Sequence, residues 1–114
     1  MKIIILVGSK RRNGNTAALA NSFADGAGKN HDVELISVAD VHVNGCIGCN
    51  SCFSNDKHVC FQKDDMPAIY QKLRDADIIV LATPVYFYNM SSQLKCIIDR
   101  LHNPIRNTDR KSVV

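Results

Sequence analysis

Four cysteines fall within one short stretch, Cys46-x-x-Cys49-x-x-Cys52-x7-Cys60. The thiolate is the ligand form of cysteine, and thiols at i, i+3 and i+6 can wrap one small centre while a fourth arrives from farther along. The first three spacings match a bacterial ferredoxin run; the gap before Cys60 does not, and no proline follows it. Zinc sites more often use two separated Cys-x-x-Cys knuckles, so this clustering tilts toward an iron–sulfur centre. A bare thiol loop or a redox-active disulfide stands beside that reading on equal terms. Gly45 and Gly48 suit a tight wrapping loop in each case.

Two further segments carry polar or aromatic chemistry. Gly8-Ser9-x-Arg11-x-x-Gly14-Asn15-Thr16 holds two glycines, three side-chain donors and a cation. Placed before a helix, it offers a phosphate free N–H groups and the positive end of the helix dipole. It has no Gly-Lys-Ser/Thr and no Gly-x-Gly-x-x-Gly, so it is neither the lysine-bearing nucleotide loop nor the dinucleotide fingerprint. A polar turn with a helix cap is the plain alternative. Thr83-Pro-Val-Tyr-Phe-Tyr-Asn89 carries Tyr86, Phe87 and Tyr88, where a flat ring system could lie. A hydrophobic loop packed on its own domain is the alternative there.

The elements that position these segments are read from periodicity. Lys2–Val7, Asp32–Ser37 and Asp77–Ala82 are expected strands, the first and third buried on both faces because their apolar runs lack a polar side. A first helix is expected after Gly14, capped by Asn15 or Thr16, with Ala20, Phe23, Ala24 and Ala27 as its stripe and Gly26 and Gly28 closing it. Asp64-Asp65 is expected to start a second helix with Met66, Ile69, Tyr70 and Leu73 inward. A third runs from about Met90, with Leu94, Ile97, Ile98 and Leu101 inward, to a stop at His102-Asn-Pro104. Between Val38 and Lys63 no period is visible, and a loop that long with that cysteine density is expected to be functional. The order β-α-β-loop-α-β-α predicts an α/β fold with a parallel sheet covered on both faces.

Composition sets the bounds. The chain has 114 residues, 46% hydrophobic and 22% charged, which predicts one globular domain over 1–114 with a cysteine-rich loop at about 42–63. A net charge of +3, with no basic run beyond Lys10-Arg11-Arg12, argues against nucleic-acid or membrane partners. No apolar run approaches a membrane span or an export signal, so the cytoplasm is the expected compartment. Cys96 falls off its helix's stripe and reads as an exposed or interface thiol. Of the histidines, His58 could lie near a centre bound by Cys52 and Cys60, and a solvated loop histidine is the plainer reading. Asp99-Arg100 is expected to make structural contacts.

The Gly-Ser-x-Arg-x-x-Gly-Asn-Thr loop, the segment Ala82-Thr-Pro-Val-Tyr86 and Ser92-Gln-Leu-Lys-Cys-Ile-Ile-Asp-Arg100 together resemble the flavodoxin-fold NAD(P)H-dependent FMN reductases. The compact cysteine loop before Asp64-Asp65-Met66 makes the iron–sulfur flavoproteins the nearest match among them. The resemblance runs from Met1 to about Leu101 and implies a flavodoxin-like three-layer sandwich of sheet order 2-1-3. It implies FMN, with Ser9, Arg11, Asn15 and Thr16 around the phosphate and Pro84, Val85, Tyr86 and Phe87 bordering the isoalloxazine, Asn89 ending that border. It also implies NAD(P)H as co-substrate, a small electron acceptor or redox protein as partner, a homo-oligomer, and Cys46, Cys49, Cys52 and Cys60 as ligands of a [4Fe-4S] cluster. The expected function is thus an FMN-dependent NAD(P)H oxidoreductase with no catalytic nucleophile or base. A non-catalytic flavodoxin-like electron carrier is the alternative, and a zinc-stabilised binding module the third reading. Five strands in order 2-1-3-4-5 need about 150 residues at roughly 30 per βα unit. The chain is therefore expected to be a piece of a longer protein or to be completed by a partner, with strand four only begun at Lys111-Ser-Val-Val114 and strand three left as an apolar edge.

Overall fold

The uninterrupted apolar run Ile3–Val7 forms, in a computed structural model, strand β1 (Lys2–Val7) with both faces covered. The structure describes residues 1–54, 60, 62–101 and 112–113. Strands β2 (Asp32–Ser37), β3 (Ile78–Ala82) and β4 (Ser112–Val113) join β1 in one parallel sheet of order β2-β1-β3-β4. Val7 lies level with Ser37 on one side and Ala82 on the other, so the three strands end together. Among the described residues four helices accompany them: α1 (Asn15–Ala27), the single turn α2 (Ser51–Ser54), α3 (Met66–Asp75) and α4 (Ser92–Asp99). None of the described helices is long and apolar enough to cross a membrane.

The alternation of side chains along β1 divides the core. Ile4 and Leu6 pack with Ile69, Leu73, Leu94 and Ile97 of α3 and α4, while Ile3, Ile5 and Val7 pack with Ala20 of α1. The result is the three-layer flavodoxin-like sandwich expected from the sequence, with the chain moving outward from β1 in both directions.

Several local expectations are corrected. Asn15 and Thr16 do not cap α1: Gly14 holds the N-cap position without a side-chain bond, and both residues lie in the first turn. A turn closed by Gly14 N–H donating to Arg11 O (3.4 Å) delivers the chain to the helix one residue earlier than a polar cap would. Phe23 is 46% exposed, because small alanines seat α1 on the sheet and Phe23 falls at the margin of their stripe. Gly26 lies within α1 and only Gly28 closes it. The third expected helix starts at Ser92, not Met90, because Ser91 caps it by accepting from Leu94 N–H (3.3 Å). The fourth strand is only begun, as expected: β4 pairs with Ile78 and Ile79, and among the described residues Val80–Ala82 have no strand beside them on that side. The stretch 38–63 contains the turn α2, too short to show a period. The expectations for His58 and for the stop at His102-Asn-Pro104 fall outside the described residues.

Candidate functional site

Loops leaving the carboxyl ends of adjacent parallel strands emerge side by side, and where strand order reverses they open a crevice. Here β1 and β3 are those strands, so the Gly8–Gly14 and Thr83–Asn89 loops are neighbours. They are also fastened together. Gly8 N–H donates to Ala82 O (2.6 Å), Ser91 Oγ donates to Gly8 O (2.6 Å), and Ser91 N–H donates to Thr83 Oγ1 (3.1 Å). A Cβ at Gly8 would stand 3.0 Å from Leu94 Cβ and 3.1 Å from Ser91 Oγ, so only glycine lets the first loop sit this close to α4. Gly8→Ala is accordingly expected to cost about 1–3 kcal/mol by overpacking and to part the loops. Urea denaturation checks the first effect, and a variant as stable as the parent would refute the close fit.

The candidate phosphate residues occupy the first loop and the start of α1. Ser9 is buried and accepts from Arg11 N–H (3.2 Å); Asn15 and Arg11 are exposed and Thr16 half-buried. With no side-chain cap on α1, its leading N–H groups face outward beside these donors. The Arg11 side chain lines an open groove of about 230 Å³ toward β2, with Arg12, Leu35 and Asp40. Arg12 is taken up by Asp40 in an ion pair there.

In the second loop Pro84 is half-buried, while Val85, Tyr86, Phe87 and Asn89 are exposed. Tyr86 and Asn89 exchange backbone hydrogen bonds (2.8 and 3.1 Å) around Phe87 and Tyr88, whose φ angles are +47° and +66°. Both central residues of a tight turn at positive φ are ordinarily glycine or asparagine. Aromatic residues held there cost of order 1–3 kcal/mol each, strain that gathers at ligand sites. The two rings pack edge to face, centroids 5.7 Å apart, at 95% exposure.

The cysteine loop is closed at its base by carboxylates. His42 N–H donates to Asp65 Oδ2 (2.6 Å) and Asp65 N–H returns a bond to His42 O (3.0 Å). Asp64 accepts from Asn44 N–H (2.9 Å) and Met66 N–H (3.0 Å), and Gln62 Nε2 donates to Gly45 O (3.1 Å). Asp64-Asp65 therefore fasten the loop and also begin the helix as expected: Asp65 is the N-cap of α3, its O accepts from Ile69 N–H (3.4 Å), and Pro67 lies in the first turn. Above this base Cys46, Cys49, Cys52 and Cys60 line one cavity of about 20 Å³, together with Tyr70 and Arg100. Cys46 and Cys49 are exposed, Cys60 half-buried and Cys52 buried, and no disulfide joins any of them. The Ser51 hydroxyl, with the backbone beside it, holds the Cys49 thiol below its usual range. Among the described residues no three Cys, His, Asp or Glu side chains converge closely enough to hold a single metal ion.

Two residues lining this cavity and one behind it were not foreseen as part of a site: Tyr70 read as core, Arg100 as structural, and Asp64, which pairs with Arg100, as helix start. The Arg100 side chain is 1% exposed and ion-paired with Asp64, whose side chain is fully buried. Its Nη1 also donates to Asn44 O (3.1 Å), and Nη2 donates to Cys60 Sγ (3.5 Å). Burial works to raise the Asp64 carboxyl, but the Arg100 guanidinium and the Asn44 and Met66 amides outweigh it and hold the group below the usual carboxylate range. Tyr70 OH donates to Arg100 O (2.6 Å), and burial pushes the phenol up to about 12. The remaining thiol, Cys96, is half-buried and lines a separate cavity of about 110 Å³ with Lys10, His42 and Ser92.

Comparison with known proteins gives these loops a context. An iron-sulfur flavoprotein of Methanocaldococcus jannaschii is 42% identical over 107 residues, spanning 93% of this chain and 54% of that protein. An iron-sulfur flavoprotein of Archaeoglobus fulgidus is 37% identical over 101 residues, spanning 88% and 48%. The chain thus spans about half the length of the relatives it matches. Among solved structures, an NAD(P)H:quinone oxidoreductase from Methanothermobacter marburgensis superposes with a TM-score of 0.75 at 16% identity, over 90% of this chain and 54% of that one, and shares the fold. The sequence profile of the NADPH-dependent FMN reductases matches residues 1–114, from the strand before the glycine loop through the cysteine loop and α4 to the last residue. By that match, and by relatives this similar along most of its length, the chain belongs to the NADPH-dependent FMN reductase family.

Proposed function

We propose that this chain binds FMN at the crevice between β1 and β3 and serves an NAD(P)H-dependent oxidoreductase whose flavin exchanges electrons with a [4Fe-4S] cluster on the cysteine loop. The observation that carries the reading is the fastening of the two loops through Gly8, Ala82 and Ser91 at the reversal of strand order. Ser9, Arg11, Asn15, Thr16 and the leading N–H groups of α1 bind the phosphate. Pro84, Val85, Tyr86, Phe87 and Asn89 border the ring and keep water from one of its faces. Bound FMN supplies a ring that accepts a hydride from a reduced nicotinamide and gives electrons up singly or in pairs. The side chains orient it, and none acts as nucleophile or base.

The donor set fits a cluster. Four thiols line one cavity, and a buried guanidinium faces the negative charge that thiolates bring. The cavity has room for about one water, so a larger centre would need the exposed arm bearing Cys46 and Cys49 to stand farther out. Cys46, Cys49, Cys52 and Cys60 would hold the cluster, which would supply one-electron transfer.

Anaerobic expression, an absorbance spectrum, and iron and sulfide assays test both cofactors. NAD(P)H oxidation with excess FMN or a quinone, well above the free-flavin background, is expected of a reductase, and background turnover would identify a carrier. A protein that is colourless and takes up no added FMN would overturn the proposal. Replacing Ser9 and Thr16 together by alanine is expected to weaken FMN by about 1–3 kcal/mol, from the bonds lost to an anion. Unchanged affinity by fluorescence titration would remove them from the phosphate site.

A further inference from the structure

We infer that Arg100 is a positioning residue that raises the reduction potential of the centre on the cysteine loop, by holding a fixed cationic donor against Cys60 Sγ. The inference rests on the reading that Cys46, Cys49, Cys52 and Cys60 hold an iron–sulfur cluster.

The guanidinium has more donors than loop closure uses. Nη1 serves the base of the loop, donating to Asp64 and to Asn44 O. Nη2 donates to Cys60 Sγ at 3.5 Å, and Nε has no partner among the described residues although it is fully buried. A buried polar nitrogen without a partner is costly and rare in native proteins, and it calls for an explanation. Here the explanation lies in what the side chain faces: Arg100 lines the same cavity as the four cysteines. The fork is held in place by its rigid plane, by Asp64, and by Tyr70 OH fixing the Arg100 carbonyl at 2.6 Å.

The direction follows from charge. Adding one electron makes the cluster and its thiolates more negative. A donor fixed on a ligand sulfur therefore stabilises the reduced form more than the oxidised one, and hydrogen bonds to the sulfurs are among the factors that set such potentials. Asp64 balances the guanidinium's charge over distance, so what Cys60 receives is a local, directed contact.

Two measurements on the anaerobically prepared protein test this. In Arg100→Lys, which keeps a cation for Asp64 but loses the fork, electron affinity is expected to fall about tenfold, about 59 mV for a one-electron couple. A dithionite titration followed by electron paramagnetic resonance reads it. Parent protein grown on guanidino-15N-arginine is expected to show a 15N coupling to the reduced cluster that vanishes in labelled Arg100→Lys. The coupling needs only the parent fold, so it decides the matter even where the variant does not fold. A parent that holds iron and sulfide but shows no 15N coupling, or a folded variant with unchanged potential, overturns the inference and leaves the cluster standing. A parent without iron and sulfide overturns the cluster reading and the inference together.

Discussion

Asp64→Ala is expected to bring the protein close to unfolding. The Arg100–Asp64 pair is buried on both sides, and removing one partner leaves an uncompensated guanidinium in the interior, a loss of about 3–5 kcal/mol. The Asn44 and Met66 amides lose their acceptor in the same step. Domains of this size have about 5–15 kcal/mol in total, so the urea midpoint should fall by a large fraction of its value. Arg100→Met combined with Asp64→Asn removes both charges, keeps an acceptor for the amides, and is expected to recover most of the loss. A single variant as stable as the parent would show that the pair does not close the loop. The same pair sets an acid limit. Asp64 titrates below the usual carboxylate range, so its contribution is full above about pH 4, its unfolded value, and disappears as pH falls through its depressed folded value.

The second large effect concerns the proposed cluster. With Cys52 and Cys60 both replaced by alanine, iron and sulfide are expected to fall to background while FMN stays bound. These are the two less exposed of the four thiols, one on α2 and one against Arg100, and two ligands are lost at once. The proposed flavin loops hang from β1, β3 and α4, tied by bonds among Gly8, Ala82, Thr83 and Ser91. Iron retained in the double variant would remove these residues from the ligand set; loss of flavin as well would give the loop a structural role.

The sheet was legible because its signal is local. Ile3–Val7 and Ile78–Ala82 have no polar face, and a segment apolar on both sides can only be an interior strand or a buried helix too short to stand. Once the three strands were ordered, the nearness of the glycine loop and the aromatic loop followed from topology alone. The start of α1 was misread because a polar residue after a glycine looks like a cap, and only the turn at Arg11–Gly14 shows where the helix begins. Asp64, Tyr70 and Arg100 were read as helix start, core and structural contact, and their part in the cavity escaped notice for a different reason. Each looks ordinary in its own segment, and their meaning arises from a pairing across 36 residues of chain and from a phenol 30 residues from the carbonyl it holds. The positive φ of Phe87 and Tyr88 was invisible too, since aromatic side chains give no sign of a left-handed backbone.

The closure of the cysteine loop by Asp64, Asp65 and Gln62 has an evolutionary consequence. The bonds that shut it run between 42–45 and 62–65, apart from the loops that follow β1 and β3. The described residues between those ends, 46–54 and 60, belong to an insert whose two ends are pinned to each other. A change of length or of thiol number within such an insert leaves the pinned ends in place, while Tyr70 and Arg100 tie its cavity to α3 and to the end of α4.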